Sequence, residues 1–358
     1  MKILVWQWGR KGAGPRYAAD LAAALNRAPD TTSLLSLSAQ AELLAGPHAP
    51  SCDIAFPTYT GYPSLLARLP ALPFAIAPLA ARFRALAPDI AITAMPAALD
   101  LVMVAALKRT NIPIFAVIHD ADPHPGDNFP LQVPLQRALI RRADGLIALT
   151  SHVADRLRAQ GQVGAKPLVM TSLPPFIFGA MPPPPGAHGG KLRLLSFGRL
   201  LPYKGLDLLA DALRLLGPRD DIDIRVVGSG PASPELSALA AMPNVTVENR
   251  WVPEAEVGTI LAWSDALVLS HREASQSGVA AAAIAARRWV IGTRVGGIAE
   301  QLADEPLARL CDPTPESLAN ALHALIANPP PPSVRDPHAT WNTVAGRLVA
   351  DLRETVGK

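Results

Sequence analysis

The chain has 358 residues, 49% of them apolar and 18% charged, which is enough for two α/β domains with substantial cores and too apolar for a disordered chain. The net charge of +3 is too weak, and the aromatics too sparse among the cations, for a nucleic-acid binder. The charge is unevenly placed. Residues 1–175 carry 16 Lys/Arg against 11 Asp/Glu, a net of +5, and the remainder 17 against 19, a net of −2. A basic first half suits an anionic membrane surface or a phosphorylated acceptor.

In chain order, the opening run Ile3–Trp8 is too short for the core of a signal peptide, and no uninterrupted apolar stretch reaches the length of a membrane span. Strands are expected at Lys2–Trp8, Ser33–Ser38, Asp53–Pro57, Asp89–Ala94, Pro113–His119, Gly145–Thr150 and Lys166–Thr171. Helical spacing lies between most of them, as at Arg16–Arg27, Ala98–Lys108 and Pro130–Ala143. Such alternation predicts a mostly parallel sheet covered on both faces. The glycines Gly9, Gly12 and Gly14 follow the first strand but lack the complete dinucleotide-binding pattern. The apolar run Leu69–Ala87, with Arg82 and Arg84, reads first as a buried helix pair with basic edges and second as a membrane-surface segment. Cys52 and Cys311 fall in different halves, so a structural disulfide is not expected and a reducing compartment fits.

The stretch Pro182–Gly190, four prolines and then glycines, predicts a linker that is first stiff and then flexible. Beyond it the alternation resumes, with strands expected at Leu192–Phe197, Asp223–Val227, Val245–Glu248, Ala266–Leu269, Val290–Gly292 and Ala308–Cys311. The tail Pro337–Val356 predicts a helix with Trp341, Val344, Leu348 and Leu352 on one face. The expected division is a first domain over 1–175, a linker over 176–190, a second domain over 191–335 and a terminal helix over 336–358.

The richest stretch is Gly198-Arg199-Leu200-Leu201-Pro202-Tyr203-Lys204-Gly205. It joins an apolar strand to the helical pattern Leu206–Leu216, so Arg199 and Lys204 leave the carboxyl end of a strand, where ligands bind in open α/β sheets. A planar guanidinium with a mobile ammonium suits a diphosphate. Three further blocks follow in order: Gly228-Ser229-Gly230 after a strand, Glu273-Ala274-Ser275-Gln276-Ser277-Gly278-Val279 opening an alanine-rich helix, and Val295-Gly296-Gly297 after another strand.

These four blocks in register resemble the donor half of the retaining GT-B glycosyltransferases of family 4, the group 1 type. The resemblance covers residues 190–330 well and the first half loosely. It implies an α/β GT-B fold of two Rossmann-like domains with parallel sheets facing across a cleft that closes on the donor. It also implies a metal-independent, retaining hexosyltransferase that moves a sugar from a UDP- or GDP-sugar to a glycan or lipid-linked acceptor, in bacterial polysaccharide or envelope synthesis, without a cofactor. It places such an enzyme in the cytoplasm, with peripheral contact at the membrane's inner face left open. By matching motif positions, Arg199 and Lys204 hold the diphosphate, Glu273 faces the sugar, and His119 lies beside the donor sugar. Ser277, Gly278 and Val279 offer a helix start to the phosphates. Gly14 and Gly228 border the donor, and Trp251 and Val252 lie where the base binds, Trp251 either stacking there or filling core. The tail helix crosses back onto the first domain.

Two departures stand out. The family's second glutamate would fall near Ala281 or Ala282, so ribose recognition must come from elsewhere. This leaves a non-catalytic sugar-nucleotide-binding subunit and a sugar-nucleotide epimerase as alternatives. The Asp120-Ala121-Asp122 segment, with His119 and His124, offers metal-type ligands, against which stands the reading of a loop capped by its aspartates.

Overall fold

The computed structural model describes residues 1–46, 49–126 and 131–357. Two compact units emerge. One comprises Met1–Asp122, most of the stretch to Ser172, and the C-terminal helix; the other comprises Leu173–Pro337 and the short segment beginning at Pro123.

Among the described residues the first unit holds a seven-stranded sheet, in spatial order Ile54–Phe56, Thr32–Ser38, Lys2–Gln7, Ile90–Thr93, Ile114–Ile118, Gly145–Ala148 and Leu168–Met170. Every neighbouring pair is parallel, the central register being Ile3 opposite Ile90. Helices Ala13–Leu25, Asp100–Lys108 and Gln132–Arg142 occupy the crossovers. Pro130, where the last of these was expected to begin, lies outside the described residues. The inner strands are buried from end to end because helices on both faces exclude water, which is why they read as continuous apolar runs.

The second unit repeats the design with six strands, in the order Val245–Asn249, Ile222–Gly228, Leu192–Phe197, Ala266–Leu269, Trp289–Thr293 and Ala308–Cys311. All pairs are again parallel. Leu206, Leu209 and Leu213 of the helix Leu206–Leu216 join Leu194, Ile224, Ile291 and Leu322 in its core. In both sheets the strand order reverses beside the first strand of the unit. In the second unit the reversal lies between Leu192–Phe197 and Ala266–Leu269, and the crevice at their carboxyl ends is the ligand-binding position of a doubly wound sheet.

The stretch expected as a linker, first stiff and then flexible, is hydrogen-bonded to the second unit. The buried Asp265 carboxylate accepts from Gly186 N at 2.6 Å, His188 Nε2 at 2.9 Å and Arg193 N at 2.9 Å. The buried Arg288 guanidinium donates to the carbonyls of Ala286, Ser264 and Pro183. Proline and glycine made the backbone of this stretch look free, but a distant carboxylate and guanidinium hold it.

The helix Pro337–Val356 belongs to the first unit, with Trp341, Val344, Leu348 and Leu352 buried. Trp341 packs 5.9 Å from the Tyr17 ring, Asn342 accepts from Arg27, and Arg353 donates to the carbonyls of Pro29 and Asp30.

One expectation is overturned. The apolar run Leu69–Ala87 is not a buried helix pair: Leu69 and Phe74 are exposed, and only Leu79, Ala80 and Phe83 of the helix Leu72–Leu86 are buried.

Candidate functional site

The second unit's switch point gathers the charged loop and the alanine-rich helix. After the strand Leu192–Phe197 the chain runs through Gly198 and Arg199 into a short 3-10 turn, Pro202–Lys204. Gly205 then adopts φ +65° and starts the helix Leu206–Leu216. A β-carbon at Gly205 would stand 2.0 Å from Ser270 O, so this position needs glycine twice over, for its backbone angle and for its close approach. That approach ties the loop to the segment leaving the strand Ala266–Leu269. Ser270 Oγ donates to Lys204 O at 2.9 Å, and Arg272 N to Tyr203 O at 2.8 Å. The Arg272 guanidinium also pairs with Asp207.

Lys204 Nζ lies 2.8 Å from His271 Nε2. An ammonium has only donors, so Nε2 is the acceptor and the imidazole is neutral. Burial first, and then the Lys204 charge, hold His271 well below its usual pKa. Tyr203 is buried beneath this pair. Arg199 and Lys204 each place their cationic group 5.4 Å from its ring centroid, and His124 stacks on the ring at 4.4 Å and 13°. His124 Nδ1 is also 3.3 Å from Glu273 Oε1, whose side chain is half exposed.

The helix Gly278–Ala285 begins beside these groups. Ser277 caps it, its Oγ accepting from Ala280 N at 3.2 Å, and Gln301 clamps Ser277 by accepting from its N–H and donating to its carbonyl. A β-carbon on Gly198 would lie 3.3 Å from Val279 Cγ2 and 3.8 Å from Lys204 Nζ. Arg199, Lys204, Glu273, Gly278 and Val279 thus border one crevice. Two cations, a helix start and a carboxylate that stays exposed can together hold an anion with a polyhydroxylated group attached.

A second wall is built by the turn after Ile222–Gly228. Gly228 passes so near the first loop that a β-carbon would fall 1.6 Å from Gly198 O. Asn249 bonds both main-chain groups of Gly230, and Arg250 N donates to Gly228 O. Val252 is buried, whereas Trp251 is 40% exposed and so does not fill core.

The remaining expected residues belong to the first unit. His119 is buried, its Nε2 donating to Ala94 O at 2.8 Å, with Tyr17 edge-on at 5.1 Å. Burial lowers its pKa, so the ring is neutral. Gly14 is buried in the first turn of Ala13–Leu25, beside Gln7 and Met95. Asp122 accepts from Arg156 Nε at 2.8 Å and Gln160 Nε2 at 2.7 Å, and the Arg156 hydrogen bond holds its carboxyl below the usual range. Among the described residues no three His, Cys, Asp or Glu side chains cluster as metal ligands would.

Sequence reasoning did not assign a site role to Tyr203 or His271, and it considered His124 only as a metal ligand. Each had a signal. Tyr203 adjoins Lys204, and His271 is a polar residue just past a fully apolar strand at the switch point.

Comparisons with known proteins bear on the family and the fold. Residues 14–170 match the family model described as Glycosyltransferase Family 4, and residues 191–328 that described as Glycosyl transferases group 1. No curated protein gives a significant match. Among solved structures, the chain is similar to sucrose-phosphate synthase from Thermosynechococcus elongatus (TM-score 0.66, 16% identity, 99% of this chain and 94% of the other covered). It is similar to Anabaena HepE in complex with UDP and glucose (0.64, 19%, 100% and 96%). It also resembles a Listeria monocytogenes protein assigned as a UDP-N-acetylglucosamine 2-epimerase (0.59, 14%, 99% and 96%). At these identities the structural likeness establishes the fold, two parallel-sheet Rossmann-like domains of the GT-B type. The two family models, one on each half, support placing the chain in the group 1 glycosyltransferases.

Proposed function

We propose, taking the chain as a glycosyltransferase of the group 1 family, that it moves a sugar from a nucleotide-diphosphate sugar to a glycan or lipid-linked acceptor with retention at the anomeric carbon. The observation that carries this reading is the convergence of Arg199, Lys204, Glu273 and the start of the helix Gly278–Ala285 at the switch point of the second sheet. The HepE complex with UDP and glucose supports a UDP-sugar as donor.

In this reading the bond between the anomeric carbon and the departing phosphate oxygen breaks as the acceptor oxygen bonds to the same face. The acceptor's hydroxyl proton passes to that phosphate oxygen. Negative charge grows on the diphosphate, and Arg199, Lys204 and the helix start stabilise it without a metal ion. The ammonium of Lys204 is a donor only, and His271 Nε2 accepts from it at 2.8 Å. Glu273 accepts hydrogen bonds from the sugar hydroxyls, with His124 beside it. His119 belongs to the first unit, where its ring is neutral and donates to Ala94 O. Gly228 borders the donor, and Trp251 and Val252 receive the base.

The test is incubation of the purified chain with UDP- and GDP-sugars, with and without chelator, following release of nucleoside diphosphate. Release from one donor in chelator supports the proposal. No release from any donor, with or without acceptor glycans or added manganese, refutes it. Formation of an epimeric sugar with no transfer product would select the epimerase reading that the Listeria likeness raises.

A further inference from the structure

Between Asp53 and Asp89 the sequence carries three arginines, Arg68, Arg82 and Arg84, and no carboxylate. Most of this stretch is one nearly continuous helical run: Tyr62–Arg68, the 3-10 turn Leu69–Ala71, and Leu72–Leu86. One side of the run is docked. Leu79, Ala80 and Phe83 are buried in the first unit's core with Met103 and Leu107, and Leu65, Leu72, Ala75 and Ile76 pack against it. The opposite side is apolar too, yet it faces water. Phe74 is 81% exposed, Leu66 66%, Tyr62 61% and Leu69 48%. Scattered exposed apolar residues need no explanation, but four large ones on a single helical run form a patch of the kind that marks an interaction site.

The charges say what the patch meets. Arg68, Arg82 and Arg84 donate to the main-chain carbonyls of Pro57, Asp53 and Arg109, which are neutral partners. A second copy meeting this face would set arginines against arginines, with no carboxylate on the run itself to pair them. An anionic bilayer offers the opposite: phosphates for the guanidinium groups and an acyl boundary for Phe74, Leu66 and Leu69. The run, 25 residues from Tyr62 to Leu86, is long and apolar enough to cross a membrane. Its docked residues and its prolines at 63, 70, 73 and 78 favour lying in the plane of the interface instead.

We propose that Tyr62–Leu86 is a docking face for an anionic lipid surface, holding the first unit at the bilayer where a lipid-linked acceptor resides. It extends the glycosyltransferase reading but rests on separate residues. The full chain is sedimented with phosphatidylcholine vesicles, with and without phosphatidylglycerol, at low and high salt. No nucleotide or sugar is present, so the result is independent of the donor site.

Binding should require phosphatidylglycerol and weaken with salt. The double variant Leu66→Ser/Phe74→Ser should bind roughly tenfold more weakly or worse. Both side chains are exposed, so its thermal melt should match the parent's; if it does not, Phe74→Ser alone serves. Failure of the folded parent to bind phosphatidylglycerol vesicles overturns the proposal. So does undiminished binding by the folded variant, or a parent dimer in light scattering that the variant dissolves.

Discussion

His271 allows the proposed phosphate site to be tested without removing a cation. Its Nε2 is the acceptor, at 2.8 Å, that holds Lys204 Nζ under the crevice. Replacing it with leucine removes the acceptor but leaves the ammonium. A hydrogen bond to a charged group contributes about 1.5–3 kcal/mol, so if Lys204 is then misplaced in the transition state, kcat should fall by about 10- to 150-fold. His271→Gln, which can still accept, should recover part of that loss. The readout is kcat and KM for the donor, with nucleoside diphosphate affinity by calorimetry and a melt to certify folding. In a Lys204→Ala background, His271→Leu should cost little more, because the group that it positions is gone. Full additivity of the two losses, or normal turnover in a folded His271→Leu, would refute the reasoning. Stability carries a sign as well. His271 is held neutral when folded and would protonate when unfolded near its ordinary pKa of about 6.5. The parent should therefore lose stability relative to His271→Gln as pH falls through that value, and not as it rises.

Three further outcomes follow from the same geometry. Arg199→Ala and Lys204→Ala should each leave the melt unchanged and lower turnover by about 10²-fold or more, and normal activity in both would remove the central proposal. Glu273→Ala should weaken binding of intact donor more than of free nucleoside diphosphate by calorimetry; equal losses would move Glu273 to the nucleotide. Asp100 is buried and accepts from Trp6 Nε1 and Ala97 N, and burial pushes its pKa up from 3.8 to about 7. The folded chain then holds a proton that the unfolded chain has lost, so stability falls as pH rises from about 4 to about 7. Relative to the non-titrating Asp100→Asn, the parent should lose about 4 kcal/mol over that range, and parallel denaturation profiles at the two pH values would contradict this.

Much of the scaffold was legible because its strands are buried on both faces. Leu192–Phe197, Ala266–Leu269 and Ala308–Cys311 appear with the bounds that their apolar runs define, and the helix Leu206–Leu216 with those of its periodicity. What could not be read depends on where a side chain points or on a partner far along the chain. Hydropathy is the same for Phe74, in water, and Phe83, in the core, so composition alone favoured burial for both. His188 meets Asp265, 77 positions away, and Lys204 meets His271, 67 positions away. No local pattern announces either pair. The place of the loop 198–205 was readable because an apolar strand, a proline-glycine turn and a helical pattern follow one another there; Tyr203 went unassigned because an aromatic in a loop has no fixed meaning until its neighbours are known.

The alanines at 281 and 282 show how the packing shapes the site. Both are buried, and Ala281 O accepts from Phe176 N at 3.1 Å, so the segment after Leu173 lies on this turn of the helix. A carboxylate at either position would be buried, at a cost of several kcal/mol unless it were paired. The helix Gly278–Ala285 can therefore serve a ligand through its capped start and its main chain, but not through side chains one turn further in. In the proposed reading the nucleotide is then held by the loop 198–205 and the wall formed by Gly228, Gly230, Asn249 and the 40% exposed Trp251. The absence of a carboxylate at this turn and the burial of both alanines therefore go together, because a longer charged side chain there would have to displace the packing around them.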